Sequence, residues 1–168
     1  MKILKLFLFS AIVLLSACGA SETSSPTTEV LFPAEEYSMI SVEDLRSKMG
    51  EPTKIYDYPI NGKDMDLYEF LNGKYEFYVF EDKVVQMNLN SGAYWGYDDS
   101  TLAYPGNDRN TILAMFGIEP SKDAHTTADT NFALRIENIN DKVYQIWIND
   151  IQEDTFGTVK ITYDNQYF

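Results

Sequence analysis

One pattern occurs twice along this chain, and it restricts the fold more than any single motif does. The first copy opens with Ser41-Val42-Glu43-Asp44-Leu45-Arg46-Ser47-Lys48-Met49-Gly50. Ser41 suits a helix N-cap, and Glu43 and Asp44 favour the positive end of the helix. Val42, Leu45 and Met49 fall on one face. Gly50 suits the left-handed position past the last turn, and Pro52 blocks continuation. The second copy is Asp108-Arg109-Asn110-Thr111-Ile112-Leu113-Ala114-Met115-Phe116-Gly117, with Asp108 as cap, Ile112, Leu113 and Phe116 as apolar face and Gly117 as stop. The exits match, Glu51-Pro52-Thr53-Lys54 against Glu119-Pro120-Ser121-Lys122.

Strands are expected after each helix: Lys54–Tyr58, Met65–Phe70, Tyr75–Phe80 and Lys83–Asn90 in the first copy, then Phe132–Ile139, Lys142–Asn149 and Phe156–Tyr163 in the second. Asn72-Gly73 is a strong hairpin turn, because both residues accept positive φ. Asp82-Lys83-Val84-Val85-Gln86-Met87-Asn88-Leu89-Asn90 aligns with Asp141-Lys142-Val143-Tyr144-Gln145-Ile146-Trp147-Ile148-Asn149, sharing the Asp, Lys, first Val, Gln and last Asn. Capped helices and Asp-Lys turns are common singly; both in the same order argue for internal repetition. The expected fold is α+β: two tandem repeats of a short helix followed by antiparallel strands, forming one curved sheet with helices packed on one face. Repeat one spans 37–90, a connecting loop 91–107, and repeat two 108–168.

The chain begins MKILKLFLFSAIVLLSACGA. Lys2 and Lys5 precede an apolar run, Leu6 to Leu15, broken only by Ser10, and the small residues Ser16 and Ala17 lead to Cys18. This is the layout of a secretory signal, and the run is too short for the roughly 20 residues of a spanning helix. Leu15-Ser16-Ala17-Cys18 resembles the lipobox of bacterial lipoproteins, with Gly19 in keeping. The resemblance implies a signal peptide over 1–17, a thioether-linked diacylglycerol bearing palmitate or similar acyl chains on Cys18, and anchorage on the extracytoplasmic face of the cell membrane. Residues 18–36 follow as lipidated cysteine and Ser/Thr-rich tether. With the helix-and-strand units behind it, the chain resembles Firmicutes-type surface lipoproteins with tandem helix–sheet repeats, and in outline the beta-lactamase-inhibitor-protein-like and BamE-like folds. The last two imply protein binding through exposed sheet or loop surfaces. Only Cys18 matches a position of known role.

Without the signal, residues 18–168 carry 11 Lys and Arg against 26 Asp and Glu, a net charge of −15. Nucleic acid is excluded as a partner, since its phosphates require Lys and Arg. Cys18 is the only cysteine and His125 the only histidine, which excludes Cys/His zinc sites and Cys–His dyads. No G-x-S-x-G elbow, phosphate loop, dinucleotide fingerprint or EF-hand loop occurs. Asp64-Met65-Asp66 and Asp98-Asp99 are pairs expected by chance in so acidic a chain, and His125 lies in a polar stretch expected to be a solvated loop. No catalytic residue, metal ligand or cofactor is assigned.

Aromatic residues carry the remaining signal. Val85, Met87 and Leu89 align with Tyr144, Ile146 and Ile148 as the core-facing row, leaving Gln86, Asn88, Gln145 and Trp147 on the opposite face with Glu76, Tyr78 and Phe80. Tyr78, Phe80 and Trp147 are candidate binding residues unless the tether, the 91–107 loop or a crossover covers them. Tyr94, Trp95 and Tyr97, beside glycines and acids in the 91–107 loop, are candidates to stack on a sugar or clamp a peptide, or else to fill the seam between repeats. The expected function is a lipid-anchored, non-enzymatic, monomeric module that recognises an envelope protein or peptide. The alternatives are a cell-wall glycan or small-molecule binder using the loop aromatics, and a carboxylate-dependent hydrolase.

Overall fold

The computed structural model describes residues 29–168; the signal segment, Cys18 and most of the tether lie outside them. The framework is one eight-stranded antiparallel sheet in the order β1-β2-β3-β4-β10-β8-β7-β6. Its strands are β1 (Lys54–Asp57), β2 (Asp66–Phe70), β3 (Tyr75–Phe80), β4 (Lys83–Asn90), β6 (His125–Asp129), β7 (Ala133–Glu137), β8 (Gln145–Asn149) and β10 (Thr158–Thr162). A short pair, β5 (Leu102–Ala103) with β9 (Thr155–Phe156), stands apart. The helices are short: α1 (Val42–Met49), α2 (Gly92–Trp95) and α3 (Arg109–Met115), with 3-10 turns at Ala34–Tyr37 and Asn165–Tyr167.

This corrects the expected α+β fold of two helix-then-strand repeats. The described chain is 19% helical and 36% strand, so the sheet, not a helix–sheet alternation, organises it. The aligned hairpin stretches are also not counterparts. β4 and β8 are the two neighbours of the same strand, β10, pairing Met87 and Ile146 with Ile161 and Leu89 and Ile148 with Val159. Their shared sequence reflects a shared environment: each is a strand buried on one face and polar on the other.

Local signals still place the helix ends. The Ser41 side chain accepts from the Asp44 N–H, the Asp108 side chain accepts from the Thr111 N–H, and Gly50 takes φ 83° at the end of α1. Each helix is too short to be stable alone. α3 buries Ile112, Leu113 and Met115 and α1 buries Leu45 against the sheet, where Phe77, Met87, Leu89, Ile146, Ile148, Val159 and Ile161 are fully enclosed. The main core therefore lies between the sheet and a cover of α1, α3, residues 32–37 and the β5–β9 pair.

The opposite face is mostly open but not uniformly so. The β3–β4 register shifts between Tyr78 and Val79, so that Val79 pairs with Val84 while Tyr78 pairs with Gln86. Val85 is the extra residue of this bulge. Val84 joins the main core, whereas Val85, expected in the core-facing row with Met87 and Leu89, turns to the other face. There it packs with Met65, Leu67 and Tyr78, with Ile60, Phe80 and Tyr167 alongside. Tyr78 is thus buried and Phe80 half-buried, covered by the β1–β2 connection and the C-terminal turn. His125 begins the exposed edge strand β6 instead of lying in a loop.

Candidate functional site

Cross-strand register arranges the open face into rows. The middle row runs Glu69, Glu76, Asn88, Lys160, Trp147, Arg135 from β2 to β7, and one neighbouring row runs Asn90, Thr158, Asn149, Ala133 from β4 to β7. These residues alternate with the core residues of the same strands, as period-2 pleating requires. Asn88, Asn90 and Thr158 have little exposed surface, and every buried side-chain nitrogen and oxygen among the described residues has a partner. Asn88 Nδ2 donates to Glu76 Oε2 at 2.9 Å and to the Tyr78 hydroxyl at 3.3 Å. Asn90 Nδ2 donates to the Gly73 carbonyl at 2.8 Å, and Thr158 Oγ1 donates to Asn90 Oδ1 at 3.0 Å. A satisfied polar network of this kind is a rigid floor. Burial pushes the Tyr78 hydroxyl well above the usual phenol range, so it stays protonated.

One wall is the loop after β4, held down at three glycines. The Gly73 α-carbon leaves room for the Tyr97 ring, whose Cε2 would lie 3.1 Å from a β-carbon there. A β-carbon on Gly157 would lie 2.8 Å from Tyr94 Cδ1, and one on Gly92 would overlap the Asp98 carboxylate. Asp98 accepts from the Ser100 side chain and backbone, which hold its carboxyl below the usual range. Ser91 caps α2 by accepting from the Tyr94 N–H at 3.4 Å. The indole Nε1 of Trp95 donates to Thr158 Oγ1 at 2.9 Å, tying the wall to the floor. The Tyr94 hydroxyl faces the Asp150 carboxylate, which raises its pKa, and its ring packs edge-on against Trp95 at 5.1 Å.

Between wall and floor is a depression of about 400 Å³. Trp95, Tyr97 and Trp147 line it together with Asn88, Asn90 and Lys160. Trp95 is 49% and Tyr97 54% exposed. Trp147 is half-buried, with the Arg135 guanidinium 5.6 Å and Lys160 Nζ 5.8 Å from its ring centroid. The structure therefore brings together one residue from the sheet-face set, Trp147, and two from the loop set, Trp95 and Tyr97. Tyr94 stands behind Trp95 as a support. Tyr78 and Phe80 are not brought to this depression. The expected plug between repeats is not formed by Trp95 and Tyr97, whose rings stay accessible.

Thr158, Lys160 and Asp150 were not among the sequence candidates. The signal for Thr158 and Lys160 is the strict alternation Thr158-Val159-Lys160-Ile161-Thr162, the same polar/apolar alternation as in β8; Asp150 follows β8 with φ 58°, and no sequence signal marks it. Asn and Gln edges, hydroxyls and flat rings can hydrogen-bond and stack; no acid–base or nucleophile pair is formed by these residues. His125 is on the far edge strand, its Nδ1 2.8 Å from the Asp123 carbonyl. Among the described residues, no cluster of metal-ligating side chains occurs and no helix is long and apolar enough to cross a membrane. No family model, curated protein or solved structure matches the chain.

Proposed function

We propose that this chain is a lipid-anchored, non-enzymatic binding protein of the cell envelope that takes a segment of glycan on the open face of its sheet. One observation carries the reading: Trp95, Tyr97 and Trp147 surround a rigid floor of carboxamides and hydroxyls. Sugar rings offer apolar C–H faces and a rim of hydroxyls, and a site pairing flat rings with planar hydrogen-bonding groups complements both. The aromatic loop is seated on glycines before ligand arrives, which lowers the ordering cost of binding. The anchor rests on the lipobox at Cys18. An envelope protein or peptide, favoured on sequence alone, is the weaker reading, because two of the three sheet aromatics that supported it lie under the C-terminal turn and β1–β2 connection.

Trp95 and Trp147 are the only tryptophans in the chain, so selectively excited tryptophan fluorescence reports on this site alone. Titration of the full chain with neutral and acidic oligosaccharides should change the emission of both Trp95→Phe and Trp147→Phe variants. A saccharide-silent protein that instead responds to envelope peptides would refute the glycan reading. Labelling with a palmitate analogue should be lost in Cys18→Ala; equal labelling of both forms would remove the anchor.

A further inference from the structure

Resting on the glycan reading, we propose that the ligand is an acidic saccharide, one whose rings carry carboxylate or phosphate, and that Lys160 receives the anion beside Trp147. Lys160 stands at the centre of the open face, between Asn88 of β4 and Trp147 of β8. It is half-buried, and among the described residues it forms no ion pair. The other cation at this ring differs: Arg135 is paired with Glu137. The acids lining the depression are engaged elsewhere. Glu76 accepts from Asn88, its backbone two strands and so about 10 Å from that of Lys160, and Asp150 faces the Tyr94 hydroxyl. A half-buried lysine whose ammonium has no carboxylate partner, in a chain of net charge −13, is an uncompensated positive point in a negative field. The Trp147 ring compensates it only in part. An anionic group on a ring stacked against Trp147 completes it.

A second depression of about 430 Å³ adjoins the first, and Trp147 and Lys160 line both. It is bounded by Gln86, Thr162 and Phe168 at the other end of β10. Thr158 to Thr162 spans about 14 Å, enough for two or three linked rings, so the lysine meets the ligand mid-chain and not at a terminus.

The test is a fluorescence titration of the full chain in detergent with two matched pairs of tetramers: a uronic-acid tetramer with its carboxyl-reduced form, and a phosphorylated oligosaccharide with its dephosphorylated form. At low salt, one or both acidic members should bind about tenfold more tightly than their neutral partners, the scale of one charge-assisted hydrogen bond. Which pair shows the preference names the anion. Lys160→Met, which keeps the alkyl packing on Trp147, should bring the ratio to about one, and Lys160→Arg should restore it. Equal binding within both pairs, or a preference that survives Lys160→Met, overturns the charge assignment and leaves the glycan reading in place. Absence of any response to all four saccharides overturns both.

Discussion

Replacing Gly157 with alanine should unseat the aromatic wall. The residue lies between β9 and β10, where its N–H donates to the Asn149 and Asp150 carbonyls at 3.1 Å and its carbonyl accepts from the Ser91 N–H at 2.8 Å. A β-carbon there would stand 2.8 Å from the Asp150 β-carbon and 2.8 and 2.9 Å from Cδ1 and Cγ of Tyr94. Carbon atoms rest at roughly 3.5–4.0 Å, so the deficit is about 0.7 Å. Neither neighbour is a flexible side-chain end. Asp150 Cβ moves only with its backbone, and Tyr94 Cγ only with its χ1 or with α2. Overpacking on this scale costs about 1–3 kcal/mol. With urea m-values of roughly 1–3 kcal/mol/M, the unfolding midpoint should fall by the order of 1 M with m unchanged.

The local consequence discriminates better than the global one. Lifting α2 breaks the Trp95 Nε1–Thr158 Oγ1 bond. In a Trp147→Phe background, Gly157→Ala should therefore shift Trp95 emission to the red before any unfolding. Gly96→Ala is the control. Gly96 ends α2 at φ 75° with open space around its α-carbon, so alanine adds about 1 kcal/mol of left-handed strain without pushing the wall. If Gly157→Ala leaves both the midpoint and Trp95 emission unchanged, the loop is not seated as described.

Phe77 is fully buried, with the rings of Tyr37 and Phe70 5.4 and 5.6 Å away, and Phe77→Ala should destabilise the domain by about 3–5 kcal/mol in denaturant unfolding. Ser41→Ala removes the cap of α1 and should cost about 1 kcal/mol, leaving saccharide binding untouched in the same fluorescence titration. Glu35 is partly desolvated, which raises its pKa, but the Glu119 N–H at 3.1 Å, Asn140 Nδ2 at 2.8 Å and Lys142 Nζ at 3.2 Å outweigh this and lower it. Its stabilisation is therefore present above the ordinary glutamate pKa and lost as pH falls through the depressed native value. Urea midpoints measured from neutral to acid pH should show Glu35→Gln less stable than wild type at neutral pH, with the gap closing in acid.

Features set by a few adjacent residues were legible in the sequence. Ser41, Asp108 and Gly50 act within one turn, and the bounds of β3 and β4 follow from alternation and from the Phe80–Lys83 turn, where Glu81 and Asp82 take φ 47° and 62°. Pairing was not legible, because it depends on which strand a sequence lies beside. Lys83–Asn90 and Lys142–Asn149 look like two copies of one element, yet they flank β10 from either side. The bulge at Val85 was hidden for a related reason: in Val84-Val85 either residue can face the core, and only the register with Tyr78 and Val79 decides. β6 was missed because His125-Thr126-Thr127-Ala128-Asp129 is an exposed edge with no buried face to impose alternation.

The candidate site follows the same division. Its aromatic residues were visible as composition, but their convergence was not, because Trp147 and Trp95 meet through the Asn90–Thr158 and Asn149–Thr158 pairings. The floor gives the stronger argument for function. A sheet face buried this deeply is usually stabilised by apolar side chains, and replacing hydrogen-bonded partners by apolar groups of the same shape is often neutral or stabilising. Here the β4–β10 centre instead holds Asn88, Asn90, Thr158 and Lys160, while the neighbouring region around Val85 and Tyr78 is apolar and covered by the chain's own C-terminal turn. One sheet face thus carries two solutions side by side. Where the described residues supply a cover the face is hydrophobic, and where none of them covers it the face is polar, ordered and flanked by rings. Among the described residues the polarity thus centres on the uncovered part, the boundary expected of the polar-ligand site proposed above.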